Sequence, residues 1–206
     1  MSAIDVFLPY VRPFAPGVSD PTAYRAIRNA AVEFCERTRL WKYESTTTIT
    51  ASAAQAIATP SGSILHDIEA VSFNGHPLRT VTPSDLDRLS PNWRTEAEGG
   101  LPQYVTQIDQ NTLRIVPRLD GELYLCLRLK PSKDTTVIPD FIANEYSECI
   151  GWGALGRLLM VPGQPYTNPD MAVAYTARFG QKLDSLANKG IKGQQNAPKR
   201  TRASFF

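Results

Sequence analysis

Apolar residues return every three or four positions through Tyr24, Ile27, Ala31 and Phe34, with Thr38 and Trp41 continuing the line, which places one stripe on a first helix. Asp20 followed by Pro21 reads as its cap and first helical position. Its outer face carries Arg25, Arg28, Glu33, Glu36 and Arg37; Glu33 and Arg37 stand at i, i+4 in the favourable order, worth a few tenths of a kcal/mol. Ahead of this helix, Pro9, Pro13, Pro16 and Gly17 interrupt Val6, Phe7, Leu8, Val11 and Phe14. That mixture predicts an extended strap packed against a body.

From Tyr43 to about Lys130 the pattern changes to short β-branched runs. Leu65–Phe73 alternates in part, Asn74-Gly75 is a hairpin turn, and Leu78–Val81 is expected to run back. Further strands are expected at 103–108, 113–116 and 122–129, joined at Asp109-Gln110-Asn111 and at Leu119-Asp120-Gly121. Thr82-Pro83-Ser84-Asp85 caps a short helix ending near Ser90.

A second long helix opens at Pro139-Asp140. Ile142, Tyr146, Cys149, Ile150, Trp152, Leu155, Leu158 and Leu159 point around most of its circumference, so it is central and buried on several sides. Within it Cys149, Gly153 and Gly156 fall at i, i+4 and i+7, a helix-packing line of small residues along which the first helix can approach. Asn168-Pro169 caps a third helix with Met171, Tyr175, Phe179, Leu183 and Leu186 on its stripe, and Gly190 marks its exit. The expected fold class is α+β: a helical bundle of three main helices with an inserted antiparallel β module between the first and the second. The expected divisions are 1–42 (strap and first helix), 43–134 (β module), 135–189 (second and third helices) and 190–206 (a flexible basic C-terminal arm).

Charge alters this picture only at the end. The chain of 206 residues carries 22 Lys and Arg against 20 Asp and Glu, net +2, but Lys192, Lys199, Arg200 and Arg202 lie in the acid-free segment 190–206, leaving the remainder at −2. Such a segment has neither helical nor strand period, and its last residues, Phe205 and Phe206, favour an arm that orders on a partner over a merely solvated tail. Cys35, Cys126 and Cys149 are odd in number and lie in apolar stretches, as buried free thiols do. No apolar run approaches the ~20 residues that span a bilayer. Asp5, Pro9 and Pro13 break the pattern of a signal peptide, so export by that route and membrane association are not expected.

Reactive chemistry finds little support. Gly151–Gly156 spells GxGxxG, yet a helical run precedes it where a nucleotide-binding turn requires a strand. His66 and His76 have no Cys or acidic cluster at metal-ligand spacing, and no nucleophile motif links either to a cysteine. Glu145 and Glu148, the nearest carboxylate pair, read as a solvated helix face. No catalytic residue, metal or cofactor is therefore expected.

AYRAIRNAAVEFCERTRLWKYE resembles the first helix of head-to-tail adaptor (connector) proteins of tailed bacteriophages. VPRLDGELYLCLRLKPSKD followed by IPDFIANEYSECIGWGALGRLLMVPGQPYTNP is similar to that family's last strand, entry proline, Gly/Ala-rich helix and Pro-Gly-x-Pro-aromatic-x-Asn turn. The likeness runs through residues 4–189 in order and rests on the combination of these structural pieces.

The resemblance implies a structural virion protein of the neck, assembled in the host cytoplasm and not an enzyme. Twelve copies would form a ring beneath the portal, enclose the channel for genomic DNA and meet the next tail component, a nozzle or tail tube. Ring contacts would use the polar face of the first helix and the exposed side of the third. Lys199, Arg200, Arg202, Phe205 and Phe206 would dock on the portal. The alternative is a sequence-independent DNA-binding or packaging protein, for which Lys192, Lys199, Arg200 and Arg202 would contact phosphates.

Overall fold

The computed structural model describes residues 1–51, 54–95 and 100–192. In chain order these form β1 (Ser2–Ala3), a 3-10 helix (Ile4–Tyr10), α1 (Asp20–Thr38), β2 (Lys42–Ile49), β3 (Gln55–Ala56), β4 (Ser63–Phe73), β5 (His76–Pro77), β6 (Arg79–Thr80) and α2 (Pro83–Leu89). There follow β7 (Tyr104–Thr106), β8 (Thr112–Val116), β9 (Gly121–Pro131), β10 (Val137–Ile138), α3 (Asp140–Glu145), α4 (Ser147–Leu158) and α5 (Pro169–Lys192). Two compact units result, one from residues 1–40 with 133–192, the other from 41–132.

The helical unit is built around α4, nine of whose twelve residues are buried. Its glycines and alanine leave room for α1 on one side and α5 on another, and the 3-10 helix packs against it as well. On α1, Ala23, Ala26, Ile27, Ala30, Ala31, Phe34, Cys35 and Thr38 form the inward stripe. The buried Thr38 hydroxyl donates to the Phe34 carbonyl at 2.7 Å, so no polar atom is left unsatisfied there. The helix ends where Arg39 turns left-handed (φ 53°) and its N–H donates to Cys35 O. Trp41 consequently belongs to the other unit and not to the α1 stripe. α5 opens on Asn168, whose Oδ1 accepts from Met171 N at 3.1 Å, and continues through Gly190 to Lys192, so that glycine is not its exit.

Only Ser2 and Ala3 of the expected strap are extended; they pair antiparallel with Ile138 and Val137. The following residues coil into the 3-10 helix because Ile4, Phe7, Leu8 and Val11 can all be buried on that tighter period, and Pro9 is tolerated inside it. The second long helix is two helices. Tyr146 leaves helical geometry (φ −128°, ψ 17°), ending α3 and opening α4, and its ring lies 5.0 Å from that of Phe34.

In the other unit, β9 is the centre of an antiparallel sheet ordered β2-β9-β4-β5. β9 is buried on alternate and then successive residues, matching its central place. β4 pairs with it through register shifts at Leu65/Asp67 and Ile68/Ala70, each marking a bulge. Asn74 (φ 46°) and Gly75 (φ 80°) make the expected tight turn. The returning chain pairs with β4 for two residues only; Arg79 and Thr80 then leave to run parallel to β7 in a second sheet, β3-β8-β7-β6. The turn at 119–121 likewise joins strands of different sheets. Under the second sheet, Leu86, Trp93 and Val116 form a small separate core, with Val81 and Tyr104 against it.

The expectation of a three-helix bundle carrying one antiparallel β module is therefore corrected. Among the described residues the chain is α+β with six helices, counting the 3-10 helix, and three sheets, one of them mixed and one formed by β1 and β10 in the helical unit. A two-residue strand has no visible period, which is why sequence pattern merged the two sheets of the β region into one and missed the β1–β10 pair.

Candidate functional site

The small-residue line on α4 is the first candidate. A methyl built on Gly153 would lie 2.9 Å from Ala30 Cβ of α1 and 2.9 Å from the Phe179 ring of α5. On Gly156 it would collide with the Thr176 hydroxyl, and the α5 backbone lies 3.4–3.5 Å away. A methyl on Gly151 would stand 2.7 Å from Tyr10 Cβ. Each glycine costs about 1 kcal/mol of helix propensity against alanine, and these contacts supply the reason for the cost. Gly151 was not read as a packing position, although its place in GWGALG offered the signal. The same six residues lie wholly inside α4, so GWGALG is no strand-to-helix phosphate turn.

Cys149 is buried beside this line, and burial pushes its thiol up to about 12, with Lys182 opposing and Glu148 reinforcing the shift. Cys35 is likewise raised by burial, and Cys126 is raised to about 11, first by burial and then by its hydrogen bond to Glu69. All three are free. Thiols held this high are poor nucleophiles. Among the described residues no group of three or more His, Cys, Asp or Glu could hold a metal ion, and no helix is long and apolar enough to cross a membrane.

Charged surface is more informative. On the helical unit, Pro21, Tyr24, Arg25, Arg28 and Asn29 of α1 and Lys133 line an open concavity of about 650 Å³. Arg28 donates to the Lys133 carbonyl at 2.5 Å, which fixes the two chain segments together. Glu145 and Glu148 are exposed on either side of the helix break at Tyr146. Elsewhere on this unit Arg157 bonds Gly153 O at 2.7 Å and pairs with Glu33. Arg37 pairs with Asp184 at 2.5 Å, tying α1 to α5. The outer side of α5 exposes Val173, Ala174 and Ala177, an apolar strip to which the exposed Met171 adds.

In the other unit, Trp93 donates its Nε1 to Asp87 at 2.7 Å while the guanidiniums of Arg94 and Arg114 sit 4.7 and 5.2 Å from its ring centroid. Burial first, and then Arg118 and Arg94, lowers the pKa of Arg114. A second cluster joins Glu69 to Arg128 (2.7 Å), Cys126 (3.2 Å) and Lys42 (3.6 Å). Sequence reasoning missed both clusters: the Glu69 group meets only through sheet register, and Asp87, Trp93 and Arg94, though within seven residues, are joined by Arg114 only through the fold.

Lys199, Arg200, Arg202, Phe205 and Phe206 lie outside the described residues. His66 is on β4 and His76 on β5, within the β unit.

The chain matches the SU10 adaptor protein family over residues 4–202 and belongs to that family, whose members are structural adaptors of bacteriophages. No curated protein matches it.

Proposed function

We propose that this chain forms a closed ring between portal and tail, with the DNA exit channel at its centre. The observation that carries the reading is the family match, which spans nearly the whole chain and therefore applies to both units. The helical unit adds physical support. A ring needs two different patches on each copy, because a heterologous contact closes only by rotation. The polar outer face of α1 and the exposed Val173, Ala174 and Ala177 strip of α5 are two such unlike surfaces.

Within this reading the basic end of the chain docks on the portal, with Phe205 and Phe206 as anchors and Arg200 and Arg202 pairing with carboxylates; Lys199 adds to the charge. The β unit is left to meet the next tail component.

Native mass measurement of the purified chain, alone and with the portal protein, tests the ring. A species near twelve copies, formed alone or only on the portal, is expected. A monomer under both conditions that binds duplex DNA with a log-log salt slope of roughly −3 to −4 would instead support the packaging alternative. Deleting residues 191–206 is expected to weaken portal binding, and unchanged binding would remove the docking role of the arm.

A further inference from the structure

The concavity on α1 is lined by three cations, an amide, a phenol and a proline, with no carboxylate among them. Arg25, Arg28 and Asn29 share one face of α1 at i, i+3 and i+4, and Lys133 enters from the segment after β9. None of the three cations is in an ion pair among the described residues. The unit therefore presents an anion receptor of concave shape, and its guanidiniums suit carboxylates in bidentate geometry.

The same unit carries an unmatched acidic pair. Glu145 and Glu148 are exposed, stand three residues apart across the turn at Tyr146, and make no ion pair among the described residues. Several other charges on this unit are paired internally: Arg12 with Asp20, Arg37 with Asp184 and Arg157 with Glu33. A basic concavity and an acidic projection, each without an ion pair among the described residues, are complementary halves of the kind a rotational contact requires.

We propose that the Arg25, Arg28 and Lys133 concavity of one copy receives Glu145 and Glu148 of the neighbouring copy. The contact rests on the ring reading above; it keeps the polar face of α1 as one patch and gives it Glu145 and Glu148 as its counterpart, with the α5 strip outside this contact.

Charge reversal tests this on the full-length chain, under whichever condition assembles the wild type. R25E/K133E, which leaves the Arg28 bond to the Lys133 carbonyl in place, and E145K/E148K should each raise the concentration for half-assembly at least tenfold, with circular dichroism and melting unchanged. Mixed one to one, the two variants should assemble again as an alternating ring, because each restores the contact its partner lacks. The contact is overturned if either variant assembles like the wild type, or if both fail and the mixture stays dissociated; in the latter case the concavity takes an anion from the portal or from DNA. A wild-type chain that never assembles removes the ring reading, and this contact with it.

Discussion

Ala30 of α1 and Gly153 of α4 face each other so closely that a methyl on the glycine would lie 2.9 Å from the methyl of the alanine. Phe179 of α5 closes the third side at the same distance. Three helices thus meet at a position that admits only hydrogen. Gly153→Ala gains ~1 kcal/mol in helix propensity but overpacks two neighbours, at a cost of about 1–3 kcal/mol. The net expectation is a loss of about 1 kcal/mol, seen as a melting temperature lower by about 2–4 °C. Gly153→Val should lose more. A Gly153→Ala variant that melts higher than the wild type would show that the helices have room to part.

Glu69 sets an acid limit on the β unit. Burial opposes its charge, but the Cys126 thiol, Arg128 and Lys42 outweigh burial and hold the carboxyl below its ordinary value of 4.5. A carboxyl whose folded pKa is depressed contributes stability above the unfolded value and loses it as pH falls through the folded one. Urea midpoints of the wild type should therefore drop more steeply than those of Glu69→Gln from about pH 5 to about pH 3. Parallel curves would mean that the cluster contributes nothing to folding.

Trp93 is almost fully buried, and its one polar atom depends on Asp87. Asp87→Ala leaves the indole N–H without its acceptor and is expected to cost about 1–3 kcal/mol. Asp87→Asn keeps an acceptor and should recover most of that loss. Urea titrations followed by tryptophan fluorescence measure both, and equal midpoints for the two variants would rule out the hydrogen bond as the cause.

The three thiols should be silent in the folded protein. Cys126 at about 11 and Cys149 at about 12 hold little thiolate at neutral pH, and all three are buried. An aromatic disulfide reagent at pH 8 is expected to react slowly with the native chain and with three equivalents once denaturant is added. Rapid release of one equivalent before unfolding would place a thiol at the surface.

Long-period features were legible in the sequence. The α1 stripe through Ile27, Ala31, Phe34 and Thr38, though not its expected first member Tyr24, the Asn168-Pro169 start of α5 and the Asn74-Gly75 turn all follow from local rules, because each is decided by residues within a few positions of one another. The sheets were not legible. β6 leaves the hairpin after two residues and pairs parallel with β7 some twenty-five positions on, a choice made by the Leu86, Trp93 and Val116 core and by no local pattern. The break at Tyr146 was hidden for a related reason: its apolar spacing is helical, and only packing near Phe34 accompanies the departure. The α1 concavity was half visible. Arg25 and Arg28 stood out as an outer face, but Lys133, more than a hundred residues later, reaches them only through the fold.

The helical unit is assembled from the two ends of the chain, while the β unit is one uninterrupted stretch. During synthesis the β unit is complete as soon as residue 132 has emerged. α1 leaves the ribosome first but has no α4 to cover Ala30, Ala31 and Phe34 until roughly a hundred more residues have been made, about 5–20 s at ordinary translation rates. For that interval its apolar stripe faces water, so production at lowered temperature or with a holding chaperone should raise the soluble yield, and a variant with its two ends joined and opened elsewhere should shorten the wait.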